Sequence, residues 1–281
     1  MSDSVALVVD STSDVPPEWL ARWNIPVIPA FVNFGAESFP DDGKALPRAE
    51  FIRRLKEARV APTTSAPSPG QAAEILRAAL DQAAHVIVMT VAAQLSSIPN
   101  SVRLAAQQVS PDRITVYDSG STSMGLGWQV VAAAEALASG ASRDEILAAA
   151  RDVRERVEVW AAPDTLEYLR RGGRVSALVA SMGSLLQIKP IISLKEGTTS
   201  IAQRVRTTSK AIQALIALTR ECAPLERLAV LHIDHPEGAQ ALHAQLADIA
   251  PPDTLHVDVT TAISVHFGPK TLGVALVKAR R

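Results

Sequence analysis

The stretch Val5-Ala-Leu-Val-Val-Asp-Ser-Thr-Ser-Asp14 decides how the rest of the chain is read. Its five aliphatic residues run without a polar break, and such a run bounded by polar residues marks a strand covered on both faces. It ends in Asp10-Ser11-Thr12-Ser13-Asp14, short hydrogen-bonding side chains suited to a turn and to starting a helix. Asp14 or Ser13 caps a short helix that begins with proline and reaches Trp23.

The pattern returns downstream. His85–Thr90 and Ile114–Tyr117 read as further buried strands, the second again followed by Asp118-Ser119, and Ile25–Phe34 reads as another. Helices are expected over Pro47–Arg59, with Phe51, Ile52 and Leu55 on one side, over Pro69–Ala83, from Ser97 to Val109, along an alanine-rich stretch ending at Gly140, and from Ser142 to about Val157. Ser68-x-x-Gln71 and Ser142-x-x-Glu145 are capping boxes, and Asp41-Asp42-Gly43 marks a turn. Strands alternating with helices predict a largely parallel, doubly wound α/β sheet.

The second half changes character. Val157–Ala162 is a strand, Pro163–Arg171 a helix stopped by Gly172-Gly173, and Ser176–Gln187 helical. Ile191–Leu194, the turn Lys195–Thr198 and Ser200–Arg206 form a hairpin. A helix from Thr207 or Ser209 to Cys222 follows, then strands at Leu228–Ile233, Leu255–Val259 and Val274–Val277, with a helix at Glu237–Ile249. A hairpin among α/β units predicts a mixed sheet with helices. The expected architecture is therefore two α/β domains, 1–156 and 157–281.

With 281 residues, 47% hydrophobic and only 4% aromatic, the chain can build a large aliphatic core. A net charge of −1 offers no field to attract nucleic acid or acidic lipid headgroups. The one cysteine, Cys222, excludes an intrachain disulfide and a cysteine-rich metal site and fits a reducing compartment. No apolar run approaches the roughly 20 residues of a membrane span, and the N-terminus lacks the basic region of a signal peptide. The expectation is a cytoplasmic protein with no nucleic-acid partner and no stable membrane insertion.

Four hydroxyl-rich loops follow strands or precede helices: Asp10–Asp14, Thr63–Ser68, Ser96-Ser97 and Asp118–Ser123. In open α/β sheets ligands bind at the carboxyl edge, where such loops gather. In Pro62-Thr-Thr-Ser-Ala-Pro-Ser-Pro-Gly70 the capping box accounts for Ser68 onward and leaves Thr63, Thr64 and Ser65 without a structural task. Gly120–Gly127 matches neither a dinucleotide fingerprint nor a phosphate loop, and no Gly-x-Ser-x-Gly elbow occurs. The six histidines, His232 and His235 included, lack metal-ligand spacing, so no catalytic residue, metal or cofactor is assigned. Arg170-Arg171-Gly172-Gly173-Arg174 reads either as a cationic helix end or as a docking patch for an acidic partner. Arg204 and Arg206 share a strand face, and His266-Phe-Gly-Pro269 puts a histidine on a rigid turn.

Taken together, Asp10–Asp14, Thr64–Ser68, Val116–Ser119, Leu166–Arg174, Lys189-Pro190 and His266–Pro269 resemble the DegV family over nearly the whole chain. The resemblance implies a carrier rather than an enzyme. It would bind one long-chain fatty acid in a buried apolar tunnel and present the carboxylate, near the domain junction, to a partner fatty-acid kinase that forms an acyl phosphate with ATP. By that resemblance Thr64 and Ser65 are the first headgroup candidates, with Arg206 and His266 behind them and Ser11, Ser96 and Ser119 on neighbouring loops. Tunnel candidates are Ile28, Phe31, Leu95, Met124, Leu178, Met182, Leu185, Leu186, Ile188 and Ile191, and Arg170, Arg171 and Arg174 would dock the partner. Two departures stand out. Ala92-Ala93 replaces a serine pair usual in the family, leaving Ser96, Thr90 or backbone N–H groups to substitute, and Lys270 stands where glycine is usual. Two other readings stay open: an acyl hydrolase or transferase using Ser65 or Ser96 with His266, and a lipid-sensing adaptor working through the arginine patch.

Overall fold

The computed structural model describes residues 4–173 and 188–280. β1 (Val5–Asp10) lies inside a four-stranded parallel sheet with β2 (Val27–Ile28) on one side and β6 (His85–Thr90) and β7 (Ile114–Asp118) on the other, in the order β2-β1-β6-β7. Strand periodicity divides the apolar run between two interiors. Leu7 and Val9 join Ile87 and Met89 under α5 (Met124–Ala138) and α6 (Arg143–Arg156), whereas Val8 joins Val86 and Val88 under α3 (Pro69–Leu80) and α4 (Ile98–Val109). Both capping boxes form: Gln71 N donates to Ser68 Oγ at 3.2 Å and Glu145 N to Ser142 Oγ at 3.4 Å, with the return bonds present.

The strand expected over Ile25–Phe34 breaks at Pro29-Ala30. Proline has no N–H to continue a ladder, and the backbone of Ala30 turns elsewhere: its N–H donates to Ser11 Oγ at 3.0 Å and its carbonyl accepts from Asp41 N at 2.8 Å. β3 (Phe31–Phe34) therefore leaves the parallel sheet. It becomes the middle of a three-stranded antiparallel sheet with β4 (Glu37–Pro40) and β5 (Thr63–Ser65). The hydroxyl loop of the sequence reading is thus partly a strand, with Thr64 opposite Val32.

The second half builds a six-stranded mixed sheet in the order β10-β9-β8-β13-β11-β12, from β8 (Val157–Ala162), β9 (Lys189–Lys195), β10 (Thr198–Val205), β11 (Leu225–His232), β12 (Leu255–Asp258) and β13 (Leu272–Lys278). Of these pairs only β11–β12 is parallel. The hairpin turn is Glu196-Gly197, both with positive φ (48° and 73°), as a two-residue turn matching strand twist requires. One sheet face, with Trp160, Leu228, Val230 and Val274, packs on α8 (Thr208–Glu221) and α9 (Pro236–Ala244). The other, with Val159, Ala229, Leu231 and Ala275, turns toward the first half.

α5 lies between the two sheets. Leu126 and Val130 pack toward β1 and β6; Met124, Trp128 and Val131 share a cluster with Val159, Ala275 and Val277, and Trp128 Nε1 donates to Ala275 O at 3.0 Å. A helix covered on all sides must be apolar all round, which accounts for the absence of charge from Met124 to Ala134. Two short helices complete the junction: α7 (Glu167–Gly172) and α10 (Thr261–Phe267). The helix expected over Ser176–Gln187 lies outside the described residues.

Candidate ligand-binding site

A cavity opens where the three sheets meet. The six-stranded sheet supplies one wall through Val159, Ala161, Ile192, Leu194, Leu231 and Gly273. Ala30, Ala66, Val91, Leu95 and Ile98 line it from the first half, and Leu169, Ala262, Ile263 and Phe267 from α7 and α10. The atom-free space, open mouth included, is about 1180 Å³. Strand parity selects the wall: Ile192 faces the cavity, while Ile191, a tunnel candidate, is fully buried on the opposite face with Trp160 and Leu215.

Polar groups interrupt this apolar lining in a few places. Thr64 and Ser65 enter from β5, Ser96 and Ser97 from the turn before α4, Thr12, Thr122 and Ser123 from the ends of β1 and β7, and His232 and Thr271 from β11 and the start of β13. The decisive contact joins residues 202 positions apart: Thr64 Oγ1 lies 3.0 Å from His266 Nε2. His266 sits in the last turn of α10, whose neighbour α7 comes so close that a Cβ on Gly172 would fall 2.3 Å from His266 Nδ1. The glycine pair therefore has two tasks: Gly172 permits the approach, and Gly173, at φ 70°, ends the helix. When the imidazole Nε2–H donates to Thr64 Oγ1, the hydroxyl keeps its own O–H to offer to an anionic oxygen at the cavity.

The other expected headgroup residues divide. Ser65 Oγ lines the cavity and accepts from Asn33 Nδ2 at 3.3 Å. Ser96 also lines it, with Oγ accepting from Ile98 N at 3.2 Å, so Ser96 rather than Ser97 supplies the hydroxyl at the start of α4. Ser11 and Ser119 are buried beside the cavity without lining it; Ser11 serves Asp41 and Ala30, and Ser119 Oγ donates to Ser121 O. β10 ends at Val205, so Arg206 lies exposed in the bend beyond an edge strand and is not among the lining residues.

Of the tunnel candidates, Leu95 lines the wall, and Ile188 packs behind it on Leu169 and Ile192. Met124 and Ile28 are fully buried in the core, and Phe31, half-buried on β3, does not line the cavity. Leu178, Met182, Leu185 and Leu186, with Arg174, lie outside the described residues. Arg170 and Arg171 occupy the last turn of α7, where Arg171 pairs with Glu167. Ala92 and Ala93 use backbone instead of hydroxyls: Ala92 N donates to Ser121 O at 2.8 Å and Ala93 N to Asp118 Oδ2 at 3.2 Å. Lys270 is exposed at φ 62°, the left-handed backbone that explains why glycine suits this position.

Sequence reasoning missed three buried carboxylates, taking Asp10 and Asp41 for turn residues and Asp14 or Ser13 for the cap of the first helix, which in fact begins after Pro16 with no side-chain cap. Asp10 accepts from Thr12 N, Thr12 Oγ1 and Val91 N at 2.9, 2.6 and 2.6 Å. Asp14, itself at φ 55°, accepts from Ser123 Oγ and from Thr260 N at 2.8 Å. Asp41 accepts from Ser11 Oγ, Thr261 N and Thr261 Oγ1 at 2.8, 3.0 and 2.6 Å. Burial pushes Asp10 up to about 6 and Asp14 to about 7 and raises Asp41, while these donors pull each back toward the charged form. For Asp10 and Asp14 the available signal was polar residues at the end of an otherwise apolar strand; Thr12 is near Asp10, but Val91, Ser123, Thr260 and Thr261 are too distant in sequence from the carboxylates to infer. Among the described residues no cluster of three or more His, Cys, Asp or Glu is placed to hold a metal ion, and no helix is long and apolar enough to cross a membrane.

The family model described as "Uncharacterised protein, DegV family" matches residues 4–279. The chain belongs to the DegV family. A DegV domain-containing protein of Streptomyces coelicolor is 36% identical over 281 residues, covering 98% of this chain and 99% of its own. Among solved structures, a DegV family protein from Thermus thermophilus described for its fatty acid binding superposes with a TM-score of 0.88 at 31% identity, covering 98% of this chain and 100% of that one. DegV of Bacillus subtilis, described as a fatty acid binding protein, gives 0.87 at 27% identity, with 98% or more of both chains covered. The parallel sheet, the mixed sheet and their helices are thus the DegV architecture.

Proposed function

We propose that this chain binds a long-chain fatty acid in the cavity between its sheets, with the carboxylate at Thr64 and His266 and the acyl chain against Val159, Ile192, Leu194 and Leu231. The observation that carries the reading is the Thr64–His266 contact on the wall of an otherwise mainly apolar cavity. Burying a sixteen-carbon chain contributes roughly 10 kcal/mol gross, at about 0.8 kcal/mol per methylene, before the losses of association. Ser65 and Ser96 stand near enough to the same cavity to add donors where Ala92-Ala93 offers none. The fatty acid binding described for the Thermus thermophilus and Bacillus subtilis proteins supports the ligand class.

The chain acts in this reading as a carrier that presents the carboxylate to a fatty-acid kinase, with residues 1–156 carrying the headgroup strand and 157–281 covering the acyl chain. Arg170 and Arg171, on the helix that packs against His266, form part of the docking surface. Mass spectrometry of lipid extracted after purification under native conditions, followed by palmitate titration, tests the binding. A long-chain fatty acid in the extract and saturable palmitate uptake are expected; an empty extract with no uptake would end the proposal. Acyl phosphate should form only when the kinase and ATP are added, and its formation by the chain alone would make this protein the catalyst.

A further inference from the structure

We infer that Asp41 is a positioning residue of the headgroup site, acting through α10 on His266. The inference rests on the proposed ligand reading for its consequence, but its geometry stands apart from it. α10 has seven residues, and a helix this short does not hold itself together in water. Its N-cap, Thr260, makes no side-chain capping bond. The first N–H groups are instead taken by a carboxylate 220 positions away: Asp41 Oδ1 accepts from Thr261 N and Thr261 Oγ1, with Ala262 N at 3.4 Å. A negative group at a helix N-terminus also opposes the helix dipole favourably.

The other oxygen of Asp41 fixes where that cap stands. Oδ2 accepts from Ser11 Oγ, which in turn accepts from Ala30 N, so the carboxylate is anchored to the end of β1 and to the break between β2 and β3. Ala30 leads directly into β3, the strand paired with Thr64 on β5. One side chain thus ties together the support of Thr64 and the support of His266, the two groups whose 3.0 Å contact forms the headgroup pair. Asp41 is 6% exposed and its carboxylate accepts from Ser11 Oγ, Thr261 N and Thr261 Oγ1, which suits a fixed acceptor rather than a contact with ligand. It is not among the residues lining the cavity.

The test compares wild type, Asp41→Asn, Thr64→Ala and the double variant. Palmitate affinity should fall roughly 5-fold or more in Asp41→Asn, because the amide keeps one acceptor for Thr261 but turns N–H groups toward Ser11 Oγ, which loses its acceptor. In the double variant the loss should be no greater than in Thr64→Ala alone, because both act through one contact. In the ligand-free chain, the His266 ring resonances, identified by their disappearance in His266→Gln, should shift in Asp41→Asn. Losses that add in full, or His266 resonances that do not move, would overturn the inference. If wild type takes up no palmitate, the ligand reading fails and the resonances of the ligand-free chain alone decide the role of Asp41. Should Asp41→Asn not fold, Thr261→Val removes one donor from the same carboxylate and is read in the same way.

Discussion

Thr64 carries little of the fold and much of the proposed chemistry. It is half-buried on a three-residue edge strand, yet its hydroxyl is the one that meets His266. Thr64→Ala should weaken fatty-acid binding by about 1–3 kcal/mol, the cost of leaving a buried charged acceptor short of a donor, with the melting temperature nearly unchanged. Calorimetric titration with palmitate checks this; an unaltered affinity would move the headgroup to another part of the cavity. Lys270 makes the opposite kind of prediction. It adopts left-handed backbone at φ 62° with an exposed side chain. Lys270→Gly should stabilise the protein by about 1 kcal/mol, since a residue with a Cβ is strained there by roughly that amount. Chemical denaturation reads it directly, and a loss of stability would show that the lysine makes a contact worth more than the strain.

At the scale of elements, the headgroup pair depends on how closely α7 lies on α10. Gly172→Ala would place a methyl group 2.3 Å from the present position of His266 Nδ1, so the imidazole or one of the two helices must move. Overpacking of this kind costs about 1–3 kcal/mol, and palmitate affinity should fall while Gly173→Ala, which faces open space at φ 70°, affects mainly stability. Equal effects on affinity would show that the close approach has no bearing on the site. The elements themselves were largely legible. The run Val5–Asp10, the two capping boxes and the Glu196-Gly197 turn obey local rules, and local rules suffice for them. Pro29 carried the signal for the break in the second strand, but a polar three-residue strand such as Thr63–Ser65 has no periodicity to read. Ile191 and Ile192 are equally apolar, and only the register of β9 against β8 decides which one faces the cavity. The Thr64–His266 contact spans the chain, so family position located it and composition did not.

For the whole molecule, the buried carboxylates set an unusual response to pH. Asp10 and Asp14 ordinarily titrate near 3.8, and burial raises them to about 6 and 7. The folded chain therefore holds protons that the unfolded chain releases. The stability this confers is complete below about pH 4 and is lost as pH rises through 6 to 7. Paired carboxylates such as Asp152, held low by Arg156 and Arg280 against a raising effect of desolvation, act in the opposite sense and lose their contribution in acid. Thermal unfolding should accordingly show its highest midpoint near pH 5 and a fall of several degrees by pH 8. A midpoint still rising between pH 6 and 8 would show that hydrogen bonding outweighs burial at Asp10 and Asp14. Asp14→Asn should flatten this part of the profile.

The placement of β13 bears on how such a molecule comes into being. It is the last of the described strands in chain order, yet it belongs between β8 and β11, in the interior of the six-stranded sheet. Until it arrives, β8 and β11 each have an empty edge, and the indole of Trp128 has no carbonyl of Ala275 to meet. All four strands of the parallel sheet precede it in the chain, whereas the six-stranded wall of the cavity lacks Gly273 until it is in place. The six-stranded sheet therefore reaches its full strand order only once the chain has been made through residue 278.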